Sequence, residues 1–125
     1  MIANKSYIEG LNKEQYQAVT EKFGPILVLA GAGSGKTKVL TSRIANLLDS
    51  GVNPFDILAV TFTNKAAKEM QQRLSNYLGE DVVKRMWVGT FHNICGRILR
   101  RDLENYKTKD GRSWNNNYVI YDDTD

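Results

Sequence analysis

The sequence has one cysteine, one histidine, little net charge and no long apolar run in its 125 residues. With Cys95 alone, neither an intrachain disulfide nor a cysteine-rich metal site can form. Among Ile94, Ile98 and Leu99 it reads instead as a small buried thiol. No stretch reaches the length of a membrane-spanning helix. The opening "MIANKSYIEG" lacks the apolar centre of a signal peptide, so a reducing cytoplasm is the expected setting. The net charge of +3 gives only a mild preference for an anionic partner. The surplus is uneven, however. Residues 64–112 carry 11 basic against 6 acidic side chains, which suits either a solvated helical surface or a polyanion. Beyond Asn115–Asn117 nothing is low in complexity, and no repeat occurs.

Apolar residues make up 42% of the chain, and 125 residues suffice for one modest core. Helical and strand patterns alternate. "LNKEQYQAVTEKFG" reads as a helix with Asn12 as N-cap and Gly24-Pro25 as its stop. "PILVLA" is a continuous apolar run, as in a strand covered on both faces. Val39, Leu40, Ile44, Leu47 and Leu48 then recur at helical spacing up to Gly51. "DILAVTF" reads as a second buried strand. Ala66 to Leu78 forms a helix closed by Gly79, and "MWVGTF" is a shorter strand that places Trp87 in the core. Phe91 to Leu103 is a further helix. "KTKDGRSWNNN" is a polar loop, and "YVIY" a short last strand. This alternation predicts an α/β fold, a parallel sheet with covering helices.

Ala30 to Thr37 reads Ala-Gly-Ala-Gly-Ser-Gly-Lys-Thr, between an expected strand and an expected helix. That is the context of a phosphate-binding loop, with Ala30 where the strict pattern has glycine. Gly31, Gly33 and Gly35 let backbone N–H groups converge on phosphate oxygens, and the following helix adds its positive end. The cofactor-binding stretch comprises Ala32, Gly33, Ser34, Gly35, Lys36 and Thr37. Lys36 suits the β- and γ-phosphates, and the Thr37 hydroxyl suits Mg²⁺. Gln15 has two readings of equal weight on its own residues. It can close a capping box with Asn12, or its amide can read an adenine edge. On its own residues Phe62 reads first as a buried core residue, with an exposed stacking face as the other reading, and Thr63 or Asn64 as an ordinary N-cap.

"LNKEQYQAV", the glycine-rich loop, "ILAVTFTNKAAKEM" and "VGTFHNICGRILRRD" together resemble the N-terminal part of superfamily 1 DNA helicases of the UvrD/Rep/PcrA type, from about Leu11 to Asp125. The resemblance implies a RecA-like P-loop NTPase domain that is incomplete over residues 1–125, with 107–125 approaching an insertion-domain junction. It implies an ATP- and Mg²⁺-dependent motor moving 3′ to 5′ on single-stranded DNA and opening duplex junctions, together with the remainder of a helicase chain. By resemblance Gln15 reads adenine, and Lys38 stands where the family usually has a base-stacking arginine. Lysine has no flat guanidinium, so weaker stacking is expected. Thr61, Phe62, Thr63 and Asn64, and Thr90, Phe91 and His92, match motifs that touch single-stranded DNA. His92 is not expected to act as a base.

The family's Asp-Glu-x-Gln does not occur in this sequence. The closing "YVIYDDTD" offers Asp122 and Asp123, but it resembles a segment that precedes the insertion domain, so neither acid is assigned to metal. Lys36 and Thr37 are thus the residues tied to hydrolysis, and this chain alone is expected to bind without turnover. Two other readings remain open at this point: a helicase-nuclease subunit built on the same motor, and a nucleotide- or DNA-binding module without catalysis.

Overall fold

A computed structural model describes residues 6–21, 23–29, 31 and 35–112. The chain enters through a 3-10 turn, Ser6–Ile8. Helix α1 (Lys13–Thr20) follows a complete capping box. The Asn12 side chain accepts from the Gln15 backbone N–H at 2.8 Å, and the Gln15 side chain accepts from Asn12 N–H at 3.0 Å. The helix stops at Thr20, short of the Gly24 expected from sequence. There the Arg43 guanidinium donates to the carbonyls of Ala18 and Glu21, at 2.9 and 3.0 Å, and so satisfies groups the last turn leaves open.

The expected strand at residues 25–30 is not formed among the described residues. Exposure alternates along Ile26, Leu27, Val28 and Leu29 at 39, 82, 43 and 86%. That period of two marks extended chain with one side inward. What it lacks is a lateral partner: the one sheet among the described residues has two strands, and this segment belongs to neither. An apolar run reports a tendency to be buried; the pairing of N–H and C=O groups depends on what lies alongside.

Helix α2 (Lys36–Asp49) turns Val39, Ile44, Ala45 and Leu48 inward. Strand β1 (Leu58–Thr61) and strand β2 (Trp87–Thr90) pair in parallel, in register from Leu58↔Trp87 to Thr61↔Thr90. A parallel pair needs a crossover, supplied here by α3 (Asn64–Leu78) and the short α4 (Glu80–Arg85). Helix α4 went unanticipated, because Gly79 reads as a stop. Its signal is local: Glu80 and Asp81 open it and Lys84 and Arg85 close it, each sign at its favourable end of the helix dipole. Helix α5 (Phe91–Asp102) leaves β2 directly.

The main core gathers on one face of the pair, where Ala59 and Val88 meet Ile44 and Leu48 from α2 and Met70 and Leu74 from α3. Two sequence expectations are corrected here. Cys95 is exposed rather than buried, as Ile98 and Leu99 largely are. Ile94 is the apolar side chain α5 turns inward, and the next position lies about 100° further round the helix. Trp87 is half-buried rather than core, and the Arg97 guanidinium covers its ring at 4.5 Å from the centroid. Among the described residues no helix is long and apolar enough to cross a membrane.

Candidate nucleotide and nucleic-acid sites

Gly35 begins the first site. Its φ of 83° is left-handed, a conformation glycine adopts without steric cost, and it stands at the N-cap of α2 with no side-chain cap. The first N–H groups of a 14-residue helix therefore open here, with no acidic residue in the first turn to offset the positive end. Lys36 and Thr37 are the first two helical residues, and both are exposed. Ala32, Gly33 and Ser34, along with Ala30, lie outside the described residues.

Gln15 is brought to this point by α1. A Cβ added to Gly35 would stand 3.2 Å from the Gln15 amide nitrogen. Asn12, Gln15, Val28, Leu29, Lys36 and Val39 line a cavity of about 320 Å³. The capping box and the placement beside Lys36 are thus both realised. One amide oxygen holds Asn12 while the amide group faces the loop end. A second cavity, about 440 Å³, also borders Lys36 and is lined by Ala18, Ile26, Leu40 and Arg43. Lys38 points elsewhere: its ammonium donates to the Glu9 carbonyl at 2.7 Å.

The second site lies at the C-terminal ends of β1 and β2, the edge where open α/β sheets receive ligands. Phe62 is 89% exposed and Phe91 47%, with their rings 5.2 Å apart and tilted by 42°. This decides the two readings of Phe62 in favour of an exposed face. The neighbouring threonines hold the frame. Thr63 caps α3 by accepting from Ala66 N–H at 3.1 Å, and Thr90 caps α5 by accepting from Asn93 N–H at the same distance. Thr61 donates to the Thr63 carbonyl at 3.1 Å. Thr90 is buried, whereas Asn64 and His92 are exposed.

Asn93 was not singled out from the sequence. Its amide donates to Asn64 Oδ1 at 3.3 Å and so ties the two strand ends together. Thr63 and Thr90 repeat one N-cap layout on adjacent parallel strands, but the bond between Asn93 and Asn64 has no pattern of its own in the sequence. The buried Tyr7 and Ser42 were missed as well. Asp122 and Asp123 lie outside the described residues, as does the "YVIY" strand. Among the described residues no cluster of three or more acidic, histidine or cysteine side chains is placed to hold a metal.

A helix that opens at a left-handed glycine followed by Lys-Thr, beside parallel strands with exposed aromatic ends, defines an α/β domain of the P-loop motor class. Residues 11–125 match the UvrD/REP helicase N-terminal domain, and the chain belongs to that family. It is similar to the ATP-dependent DNA helicase PcrA of Staphylococcus epidermidis, 50% identical over 119 residues that cover 94% of this chain and 15% of the relative. PcrA of Leuconostoc citreum is 57% identical over 96 residues, 76% of this chain and 13% of that protein. PcrA of Staphylococcus aureus is 49% identical over 116 residues, 92% and 15% of the two chains. The chain therefore spans about one seventh of these relatives' length.

Proposed function

We propose that this chain is the N-terminal, ATP-binding part of an ATP-dependent DNA helicase that translocates 3′ to 5′ on single-stranded DNA in the cytoplasm. The observation that carries the reading is that Gln15 and Lys36 line one cavity, with Gly35 against the Gln15 amide, in a chain of the UvrD/REP family. Gln15 reads the adenine edge with its amide. Ala32, Gly33, Ser34 and Gly35 supply backbone N–H groups to the phosphates, and Lys36 supplies the point charge. Lys38 is not assigned to the base, because its ammonium is held by the Glu9 carbonyl.

The Thr37 hydroxyl, exposed beside Lys36, is the kind of hard oxygen donor that Mg²⁺ accepts along with phosphate oxygens and water. When bound, Mg²⁺ neutralises charge on the β- and γ-phosphates. Lys36 and Thr37 position the triphosphate. This chain alone binds without turnover, since it contains no Asp-Glu-x-Gln to orient water.

Single-stranded DNA, and the junctions where it meets duplex, engage the sheet edge. Phe62 and Phe91 offer stacking faces. Thr61, Thr63, Asn64, Thr90 and His92 hold or frame the phosphates beside two helix N-termini. The remainder of a helicase chain completes the ATP site. The test is equilibrium titration of the chain with a fluorescent ATP derivative in Mg²⁺, and separately with a labelled oligothymidine. Saturable binding of both, with each ligand failing to displace the other competitively, is expected. Mutual competition would place both ligands in one anion site and refute the reading.

A further inference from the structure

We propose that Ser6–Gly10 is a strap that positions Gln15 for base recognition, with Tyr7 and Ser42 as its positioning residues; this rests on the nucleotide reading above. The strap runs antiparallel along α2 and is fastened at successive points of one helical stripe. Residues 38, 42 and 49 are spaced four and seven apart and share that face. At the far end, the Tyr7 hydroxyl donates to Asp49 at 3.2 Å, and its ring meets Tyr77 edge-on at 6.3 Å. Two turns nearer the loop, the Ser42 hydroxyl, fully buried, donates to the Tyr7 carbonyl at 2.7 Å. Another turn on, Lys38 holds the Glu9 carbonyl. Gly10 then bends the chain at a φ of 75°, so close to Lys38 that a Cβ there would come within 3.0 Å of the ammonium.

Two residues later, Asn12 opens the capping box whose other half is the Gln15 side chain. The backbone from the anchored Tyr7 and Glu9 thus leads within three residues of Glu9 to Asn12, whose N–H holds the Gln15 amide beside Gly35. A side-chain amide discriminates between bases only if its donor and acceptor are held in a fixed sense, because a flipped amide presents the opposite pattern. The bond from Asn12 N–H fixes Oε1 and with it the direction of the NH₂ group. This arrangement also explains the lysine at position 38. An ammonium on a long stem can reach the Glu9 carbonyl as a point donor, a task that does not require a planar stacking group.

The experiment measures affinities of the chain for fluorescent ATP and GTP derivatives, and competition by inorganic tripolyphosphate, in wild type, Tyr7→Phe, Ser42→Ala and Lys36→Ala. Each of the first two variants removes one strap bond. Each is expected to reduce the ATP-over-GTP preference by about three- to tenfold, the worth of one hydrogen bond, with tripolyphosphate competition unchanged. An unchanged ATP-over-GTP ratio in both variants would overturn the strap. So would a parallel loss of all three ligands, which marks a merely structural role. Undiminished ATP binding by Lys36→Ala would instead refute the underlying nucleotide reading, so the two failures are distinguishable.

Discussion

Replacing Phe62 by alanine separates an exposed stacking face from a core residue, because the two roles predict opposite pairs of outcomes. The ring is 89% exposed, and among the described residues its aromatic neighbour is Phe91, at 5.2 Å. Removing it forfeits that aromatic pairing, about 0.5–1.5 kcal/mol at most, and leaves no cavity. For a domain of this size the melting temperature should fall by no more than about 4–8 °C. Loss of a base-stacking platform, by contrast, costs about 1–3 kcal/mol of single-strand binding, or about 5- to 150-fold in Kd. The assay is fluorescence anisotropy of a labelled oligothymidine at fixed low salt, alongside thermal melting. Leu74→Ala serves as the reference: this side chain is fully buried, and its truncation should cost about 2–5 kcal/mol of stability. Unchanged DNA affinity in Phe62→Ala, or a fall in melting temperature as large as that of Leu74→Ala, would refute the platform.

Three further outcomes follow from the same geometry. Gly35→Ala places a β-carbon in the left-handed region and 3.2 Å from the Gln15 amide, so it should cost about 1–2 kcal/mol of stability and weaken ATP binding; unchanged values in melting and titration would contradict that φ. Thr63→Ala removes the α3 cap and should lower stability by about 0.5–2 kcal/mol in denaturant melts, whereas Thr63→Ser should restore it. Burial first, and then the Asp49 carboxylate that Tyr7 faces, raise the pKa of its hydroxyl, so the neutral phenol belongs to the folded state. Its contribution is complete below the ordinary tyrosine value and is lost as pH rises through the raised one. Melting temperature should therefore fall in alkaline solution, and less steeply in Tyr7→Phe.

Much of the helical layer was legible because the signals are local. Asn12 and Gln15, Thr63, Thr90, and the glycines at 35, 51 and 79 set helix ends through bonds to nearby backbone, and the structure places helices where they point. Residues 25–29 were not legible as they stand, because strand formation depends on a neighbour in space and not on apolar content. Cys95 failed for a related reason: apolar neighbours in sequence are not neighbours in space, and one step along α5 leaves the buried face. Of the two candidate sites, Lys36 and Phe62 carry motif signals in the sequence. The strap at Tyr7 and Ser42 and the Asn64–Asn93 bridge are long-range side-chain bonds with no pattern of their own in the chain.

The central claim is that the start of α2 binds the phosphates of ATP, and Lys36→Ala tests it most directly. The measurement is the Kd of a fluorescent ATP derivative for this chain in Mg²⁺, by anisotropy, with melting curves for both proteins. Lys36 is exposed at the first position of α2, so its loss should leave the melting temperature nearly unchanged. A charged hydrogen bond to phosphate is worth about 1.5–3 kcal/mol, so Kd should rise about 10- to 150-fold. An equally stable Lys36→Ala chain that binds with wild-type affinity would contradict the account.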